Sequence, residues 1–508
     1  MRRTGLFNLF CYHSPMPART SASHPLAIAE IRPAPETGRI GITFCPGKHQ
    51  SDAATGVWRR DLAADLERIA DWGAAAVVSL VEEHELAALK VPRLGQEVNA
   101  RHMLWRHLPI PDVTAPGPAF EAGWVQAGPE IRDLLRHGFD VLVHCKGGLG
   151  RAGTIAARLL VELGWSPIEA VKSVRAVRPG AIETEDQLRH VHALAAGNES
   201  ALRPPLDATD RGLGALLGLA VGDAVGTTLE FARRDANPPL TDMVGGGPFD
   251  LQPGQWTDDT AMALALADSL IVNGRLDQRD LMDRFCAWWQ EGRYSCTGDC
   301  FDIGIATRSA LERYQRSGDP VAGDRSANAA GNGSLMRLAP VVLHAMADNG
   351  DDTPVQALAR RQSEITHATP ACLDACAAFA RLLELGLSDH PLSEMLAIAS
   401  AESEQWPHVA PILAGSWRGK HRRDIGSSGY VLHSFEAAIW CVARTTSFRE
   451  AVLLAANLAD DADTTAAIAG QLAGVLYGRS GIPEPWLLRL AWRDKIEKMA
   501  LALMKRRN

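Results

Sequence analysis

Two acidic clusters, far apart in the chain, constrain the fold most. They occupy residues 257–260 (TDDT) and 460–465 (DDADTT), and each comes just before a run of small and apolar residues typical of a buried helix. Helix capping alone explains one acceptor at such a position, but not two or three adjacent carboxylates. Crowded carboxylates repel unless a cation neutralises them, and oxygen-only ligands favour magnesium, manganese or calcium. The sequence therefore predicts a metal site closed between two distant helices.

Length, charge, cysteine content and hydropathy limit the number of domains and the kinds of partner that the protein can have. A chain of 508 residues is too long for one ordinary core, so two or three domains are expected. The formal net charge is -8 and no basic block stands out, which argues against a nucleic-acid partner. Nine cysteines without regular spacing indicate reduced thiols and a cytoplasmic location. The apolar stretch 212–222 is much shorter than the roughly 20 residues that span a bilayer, so no membrane partner is expected.

Residues 40–200 have the pattern of an α/β unit with a central sheet. Short β-branched runs at 40–44, 75–81, 104–110 and 141–145 predict strands, and a long helix is predicted at 118–136. The run VLVHC (141–145) leads into the glycine-rich turn KGGLG and a predicted helix at 152–163. A strand, a glycine-rich turn and a helix together form a cradle for an anion, because the N–H groups of the turn converge.

The side chains at the two ends of this cradle predict phosphate chemistry. Cys145 stands at its start and Arg151 at its end, with Lys146, Gly147, Gly148, Leu149 and Gly150 between them. The helix dipole and the arginine favour the thiolate form of the cysteine, and a guanidinium binds phosphate through two donors. A buried structural cysteine before a glycine bend is the alternative.

The motif HCKGGLGRAG (144–153) resembles the signature of cysteine phosphatases. RHLPIPD (106–112) is similar to the general-acid loop of dual-specificity phosphatases, and residues 38–197 most resemble phosphatases similar to cyclin-dependent kinase inhibitor 3. The resemblance implies a metal-independent phosphatase with Cys145 as nucleophile, Arg151 as phosphate clamp and Asp112 as proton donor. Most members have Ser or Thr directly after the arginine, where this chain has Ala152. That departure leaves phosphate binding intact and turnover open.

Strand signals nearly vanish beyond a polar, proline-containing stretch at 198–209. The resulting domain prediction is an irregular or disordered tail (1–37), a phosphatase-like domain (38–197), a linker (198–209) and an all-α domain (210–508). Helical spacing recurs through the last domain at 211–222, 260–272, 278–290, 302–315, 355–363, 370–386, 391–401, 431–444, 448–457, 464–477 and 484–503.

Six short motifs follow one another in this helical half. They are GDAVG (222–226) with Glu230 after it, TDDT, GNGSLMR (331–337), TH (366–367), SGYV (428–431) and DADTT (461–465). Their order resembles the ADP-ribosylglycohydrolase family, including the dinitrogenase reductase-activating glycohydrolases, over about 211–480. The resemblance implies an all-α bundle with two Mg²⁺ or Mn²⁺ ions. It implies as metal ligands Thr257, Asp258, Asp259, Asp461, Asp463 and Thr464, with Glu230 as a ligand or acid/base residue. It implies Asn332, Gly333 and Ser334 at the diphosphate, and His367, Gly429 and Tyr430 lining the ADP-ribose pocket.

The combined sequence features predict a bifunctional hydrolase, in which a cysteine-dependent phosphatase is fused to a metal-dependent ADP-ribosyl hydrolase. Its expected partners are an ADP-ribosylated protein or small molecule and a phosphorylated substrate. Two alternatives to this prediction remain open. In one, the first domain is a phosphate-recognition module for the ADP-ribosyl hydrolase. In the other, both domains process a phosphorylated ADP-ribose derivative. One departure from the second family is Asp460, where members often have glycine.

Overall fold

The structure is a computed structural model and describes residues 18–53, 55–197, 206–347 and 353–505. Contacts between residues divide the chain into two compact units. One comprises residues 1–136 and 140–199, and the other comprises residues 137–139 and 200–508.

The first unit is built around a mostly parallel sheet of five strands in the order β1-β2-β7-β5-β6, with only β1 antiparallel to its neighbour. Its described strands are β1 (Ala29–Ile31), β2 (Ile40–Phe44), β3 (His49–Gln50), β4 (Trp58–Arg59), β5 (Ala74–Ser79), β6 (Leu104–His107) and β7 (Asp140–Cys145). Its described helices are α1 (Leu62–Trp72), α2 (Glu83–Ala88), α3 (Leu94–Asn99), α4 (Pro118–Arg136), α5 (Gly150–Glu162), α6 (Pro167–Val177) and α7 (Glu185–His192).

The central strands are the ones with the most apolar sequences. β2 and β5 are buried along their whole length, and β7 lies between them as the middle strand. A strand buried on both faces needs a continuous apolar run, which is what these segments offer. β6 is shorter than predicted and ends at His107, because Pro109 and Pro111 lack the N–H groups that continue a ladder. This α/β architecture confirms the predicted fold class.

The predicted irregular tail overlaps the sheet. Residues 29–31 form β1 and pair with residues 40–42 of β2, so ordered structure begins before residue 38. A three-residue edge strand is too short to show periodicity, and for that reason the sequence pattern did not reveal it. Residues 1–17 of the predicted tail, and residues 198–205 of the predicted linker, lie outside the described residues.

The second unit is helical, again as predicted. Its described helices are α8 (Ala208–Gly226), α9 (Asp258–Asn273), α10 (Gln278–Glu291), α11 (Ile305–Ser317), α12 (Ala339–Ala345), α13 (Val355–Glu364), α14 (Pro370–Leu387), α15 (Leu392–Ala401), α16 (Ala410–Leu413), α17 (Val431–Ala443), α18 (Phe448–Ala456), α19 (Ala462–Tyr477), α20 (Glu484–Arg489) and α21 (Arg493–Met504). Most predicted boundaries moved by three residues or fewer, and two of the changes have a clear physical cause. Helix α8 starts inside the predicted linker because Asp207 caps it. The predicted helix 484–503 is broken at Trp492, whose φ is +58°.

Helices α8 and α19 form the centre of this unit and pack antiparallel with their backbones in close contact. A Cβ added to Gly214 would lie 2.3 Å from the carbonyl oxygen of Gly474. A Cβ added to Gly218 would lie 2.3 Å from the carbonyl oxygen of Gly470, and one added to Gly222 would lie 2.1 Å from that of Ala466. Glycines four residues apart on α8 therefore remove the side chains that would separate the two helices. Residues 208–229 are apolar and long enough to cross a membrane, but most of that stretch is buried, as in the core helix of a globular domain.

Candidate active sites

The glycine-rich turn after β7 wraps around the thiol of Cys145. The side chain of Cys145 is buried, and its Sγ accepts a hydrogen bond of 3.2 Å from the N–H of Gly148. Gly148 has φ +72°, and an added Cβ would lie 2.5 Å from the backbone nitrogen of Phe44. Only glycine fits this position, so the turn can close tightly enough for its N–H groups to surround an anion.

Arg151 is held at the other end of the turn by two carboxylates. Its Nη1 and Nη2 donate to Glu85 at 2.6 and 3.0 Å, and Nη2 lies 2.9 Å from Oδ1 of Asp112. Burial opposes the charged form of Glu85, but the hydrogen bonds and charge of Arg151, together with the N–H of Glu82, lower the pKa of Glu85. The structure thus brings the three predicted catalytic residues of this domain together. Glu85 was not predicted, because a glutamate in the first turn of a short helix is also a common N-terminal residue.

The face of α5 next to Cys145 offers no hydroxyl at residue 152. Ala152 is fully buried, and the hydroxyl of Thr154 donates to the carbonyl oxygen of Gly150 at 2.8 Å. Two basic side chains donate hydrogen bonds to carbonyl oxygens of the turn. Nζ of Lys48 lies 3.2 Å from the carbonyl oxygen of Lys146, and Nε of Arg178 lies 2.9 Å from that of Gly148.

In the helical unit, the close pairing of α8 and α19 brings acidic residues from both helices together. Glu230 follows the C-terminal end of α8, and its Oε2 accepts from the N–H groups of Ala462 and Asp463 at 2.7 and 3.3 Å. Glu230 therefore caps α19, the helix that begins with the second acidic cluster.

The backbone of Asp460 forms hydrogen bonds with the backbones of Phe231 and Ala232, and its φ is +65°. Glycine adopts that conformation at lower cost than aspartate does.

The two acidic clusters meet at the hydroxyl of Thr257. This oxygen lies 2.9 Å from Asp223, 3.3 Å from Asp259 and 3.2 Å from Asp463. The hydroxyl of Thr464 is 3.4 Å from Asp259. Two carboxylate triplets have oxygens within 4.8 Å of one another, Asp223 with Asp259 and Asp463, and Glu230 with Asp302 and Asp463. Asp258 and Asp461 lie outside these triplets; Asp258 is buried and Asp461 is half-buried.

Asp223 and Asp302 belong to this site and were not predicted to do so. Asp223 is an acid within the apolar helix α8, a signal that could have found it, and it accepts from the backbone and hydroxyl groups of Thr257 and Thr260. Asp302 lies in the loop before α11, three residues after Asp299, and has φ +57°; no helical or strand periodicity marks it. Only the course of the chain brings it to Glu230 and Asp463.

The donor set fits a cation. Burial, reinforced by neighbouring carboxylates, raises the pKa of Asp223, Asp461 and Asp463 to about 7. Burial also raises the pKa of Asp302 to about 6 and the pKa of Glu230 well above its usual range. Oδ1 of Asp259 is buried with no hydrogen-bond partner among the described residues. A hard divalent ion would neutralise these oxygens and give the orphaned atom a partner.

Two glycine-containing loops, which carry the motifs GNGSLMR (331–337) and SGYV (428–431), contact the cluster at Asp461. Nδ2 of Asn332 donates to Asp461 at 2.8 Å, and its backbone N–H donates to the carbonyl oxygen of Gly429 at 3.1 Å. An added Cβ at Gly333 would lie 2.8 Å from the ring of His367, so the ring packs directly against the loop. Burial and the charge of Arg337 lower the pKa of His367 to about 3, which leaves the ring neutral.

Of the other residues predicted to line the pocket, Tyr430 is exposed and Ser334 is buried. The ring of Tyr430 packs edge-on against His433. The hydroxyl of Ser334 is instead fully buried, where it accepts a hydrogen bond of 2.7 Å from Ser363. The side chain of Ser334 therefore supports the loop from behind and does not face a ligand.

Comparisons with known proteins match both units. The ADP-ribosylglycohydrolase family matches residues 204–508, and the phosphatase domain described as "Swiss Army Knife protein, DSP-PTPase" matches residues 55–197. The ADP-ribosylarginine hydrolase Tri1 of Pseudomonas putida is 46% identical over 305 residues, which cover 59% of this chain and 80% of that protein. Cyclin-dependent kinase inhibitor 3 of Sus scrofa is 32% identical over 156 residues, which cover 30% of this chain and 70% of that protein.

A solved structure described as an "ADP-ribosylglycohydrolase-related protein complex" shares the fold of the helical unit. It is 41% identical, covers 59% of this chain and 98% of that chain, and has a TM-score of 0.52. Together with the family matches, it confirms both predicted resemblances. The chain belongs to the ADP-ribosylglycohydrolase family and carries, ahead of that domain, a second domain of the dual-specificity phosphatase type.

Proposed function

We propose that the helical domain hydrolyses the bond between ADP-ribose and an arginine side chain of a modified protein. The observation that carries the proposal is the buried carboxylate cluster where Thr257, Asp259 and Asp463 meet beside two glycine-containing loops. The arginine linkage is supported by the name of the relative from Pseudomonas putida, an ADP-ribosylarginine hydrolase. A protein with nine irregularly spaced cysteines fits a cytoplasmic location.

The cluster fits two Mg²⁺ or Mn²⁺ ions held by the predicted ligands together with Asp223 and Asp302. When bound, such ions supply positive charge that orients ribose hydroxyls and makes a water more acidic. Asn332 orients the carboxylate of Asp461, and the loop that follows it offers backbone N–H groups to the diphosphate. Oε2 of Glu230 accepts from two backbone N–H groups, so Oε1 is the atom left to exchange a proton. Oε1 passes its proton to the leaving nitrogen as the bond between that nitrogen and the ribose carbon breaks, and the water that adds to the carbon gives up a proton to the surrounding carboxylates.

We also propose that the first domain is a cysteine phosphatase. Sγ of Cys145 attacks phosphorus and the bond to the leaving oxygen breaks, while Asp112 gives that oxygen its proton. Arg151, oriented by Glu85, binds the transferring phosphoryl group through its guanidinium. Water then hydrolyses the phosphocysteine. Ala152 favours a second candidate function, in which this domain binds phosphorylated partners without turning them over, because the hydroxyl that helps the thiolate leave is absent.

One set of assays on the full chain tests both activities. The substrates are a peptide ADP-ribosylated on arginine, a peptide ADP-ribosylated on serine and an aryl phosphate. We expect Asp461→Ala or exhaustive chelation to abolish release of ADP-ribose from arginine while aryl-phosphate cleavage is nearly unchanged. Cys145→Ser should have the reverse effect, because a serine hydroxyl is not ionised at neutral pH.

Each half of the proposal can fail separately. Full release of ADP-ribose after chelation would contradict the metal assignment, and cleavage of only the serine-linked peptide would contradict the arginine linkage. Aryl-phosphate cleavage by Cys145→Ser at the parent rate would contradict the cysteine mechanism. Phosphopeptide binding without any phosphate release by the parent protein would favour the recognition module.

A further inference from the structure

Three phenylalanine rings, Phe231, Phe249 and Phe301, form a phenyl row beside the carboxylate cluster. The ring centroid of Phe249 lies 6.2 Å from that of Phe231 and 5.2 Å from that of Phe301. Phe231 directly follows Glu230 in the chain, and Phe301 directly precedes Asp302. Since the carboxylate oxygens of Glu230 and Asp302 lie within 4.8 Å of each other, the row starts next to one of these acids and ends next to the other.

The stability of the fold does not account for a phenylalanine at position 231. Its backbone has φ +58°, a left-handed conformation that is costly for a bulky residue, and its side chain is 66% exposed. The hydrogen bond that it makes to Asp460 uses only its backbone N–H, which any residue except proline supplies. A strained backbone that carries an exposed aromatic ring next to reacting groups points to a ligand of that ring.

The place of the row relative to the glycine-containing loops indicates which part of the substrate it contacts. The loops reach the carboxylate cluster at Asp461, through Asn332 and Gly429. The phenyl row reaches the same cluster at Glu230 and Asp302. The acceptor is bonded to the ribose carbon that reacts, whereas the adenosine is attached beyond the diphosphate. With that carbon at the carboxylates and the diphosphate at the loops, the acceptor side chain is the part of the substrate expected at the phenyl row.

An arginine acceptor matches such a surface. Its guanidinium is planar, weakly hydrated and positively charged, and it stacks on aromatic faces, while its aliphatic stem adds apolar contact. The adjacent carboxylates of Glu230 and Asp302 favour the same charge. We propose that the phenyl row binds the guanidinium group and stem of the ADP-ribosylated arginine. This inference rests on the proposed hydrolysis of ADP-ribosylarginine and names the residues that recognise the acceptor.

The test compares the two parts of the substrate in the full chain loaded with Mn²⁺. For Phe231→Leu and Phe301→Leu, we expect KM for an arginine-ADP-ribosylated peptide to rise roughly 3- to 30-fold, the range expected for loss of a cation–π contact. The Kd of free ADP-ribose should stay at the parent value, which also shows that each variant is folded. Phe231→Tyr keeps an aromatic face and should retain the parent KM.

Val272→Ala is the matched control, because Val272 is an apolar side chain that is 62% exposed on α9. It lies 14 residues beyond Asp258, or about 21 Å along the helix axis, and should leave KM unchanged. An unchanged KM in both leucine variants of an active enzyme would overturn the phenyl row alone. An equal rise in KM and in the Kd of ADP-ribose would also overturn it, in favour of adenine stacking. A parent protein unable to cleave the arginine linkage would overturn the proposed function itself.

Discussion

At the scale of single residues, one buried position bears on the kinetics proposed for the phosphatase-type domain. Ala152 follows Arg151 and has no hydroxyl to assist departure of the thiolate from phosphocysteine. Thr154 cannot replace it while its hydroxyl donates to the carbonyl oxygen of Gly150. The groups that form the intermediate, Cys145, Arg151 and Asp112, are all assembled. We therefore expect hydrolysis of the phosphocysteine to be slower than its formation.

We predict a rapid burst of product from an aryl phosphate, near one equivalent per site, followed by slow turnover. Ala152→Ser should accelerate the slow phase several-fold and leave the burst amplitude unchanged, because the new hydroxyl acts only on thiolate departure. Stopped-flow measurement of the released phenol separates the two phases. Fast turnover without a burst, equal in the parent and in Ala152→Ser, would show that the missing hydroxyl has no kinetic effect.

At the scale of secondary-structure elements, the carboxylate site depends on how closely α8 and α19 approach. The two helices run antiparallel, so the C-terminal end of α8 meets the N-terminal end of α19. At that meeting point Glu230 accepts hydrogen bonds from the N–H groups of Ala462 and Asp463. The spacing of the helices is set by glycines such as Gly218 and Gly222, which have backbone atoms of the partner helix where a side chain would be.

Gly222→Ala should therefore destabilise the protein, although alanine is intrinsically the better helix former. The new methyl group would lie 2.1 Å from the carbonyl oxygen of Ala466, and separating the helices costs about 1–3 kcal/mol. We expect a lower unfolding temperature of the helical domain and loss of ADP-ribosyl hydrolysis, measured by calorimetry and by the arginine-linked assay. Gly304→Ala is the control, because nothing lies within 4 Å of its added Cβ. Equal stability of the two variants would contradict this role of the glycines.

At the scale of the whole molecule, the buried carboxylates link folding to pH and to metal binding. The pKa values of Asp461 and Asp463 are about 7 in the folded protein, whereas an unfolded chain has values near 3.9. Between these values the folded state binds more protons than the unfolded state. The metal-free protein therefore loses stability as the pH rises from about 4 through 7. A divalent cation competes with those protons, so its stabilising effect grows over the same range.

We predict that a fixed concentration of Mn²⁺ raises the unfolding temperature by a few degrees more at pH 7.5 than at pH 5.5. Asp463→Asn removes one of the repelling charges. It should raise the unfolding temperature of the metal-free protein at pH 7.5 and reduce the shift produced by Mn²⁺. Differential scanning calorimetry of the parent and the variant, with and without Mn²⁺ at both pH values, measures these unfolding temperatures. A shift that is the same at pH 5.5 and 7.5 in the parent would contradict the proton–metal competition.

The sequence by itself determined the local features of this protein. Helix starts and ends are set by periodicity and caps within a few residues, and most predicted helices recur in the structure with nearly the same bounds. The glycine-rich turn around Cys145 and the two acidic clusters are contiguous motifs, so their residues could be named without coordinates. Both family resemblances were confirmed for the same reason. Three-residue β1 and the break at Trp492 were missed because neither has a local pattern.

Only the tertiary structure decided which distant residues complete the sites. Asp302 joins Glu230 and Asp463 although it belongs to neither acidic cluster of the sequence, and Glu85 reaches Arg151 from a different helix. Ser334, which stands in a predicted binding motif, turns its hydroxyl into the interior. Periodicity reports which face of an element is buried but not what packs against it. Contacts between segments hundreds of residues apart therefore follow from the packing of whole elements, above all from the glycine contact between α8 and α19.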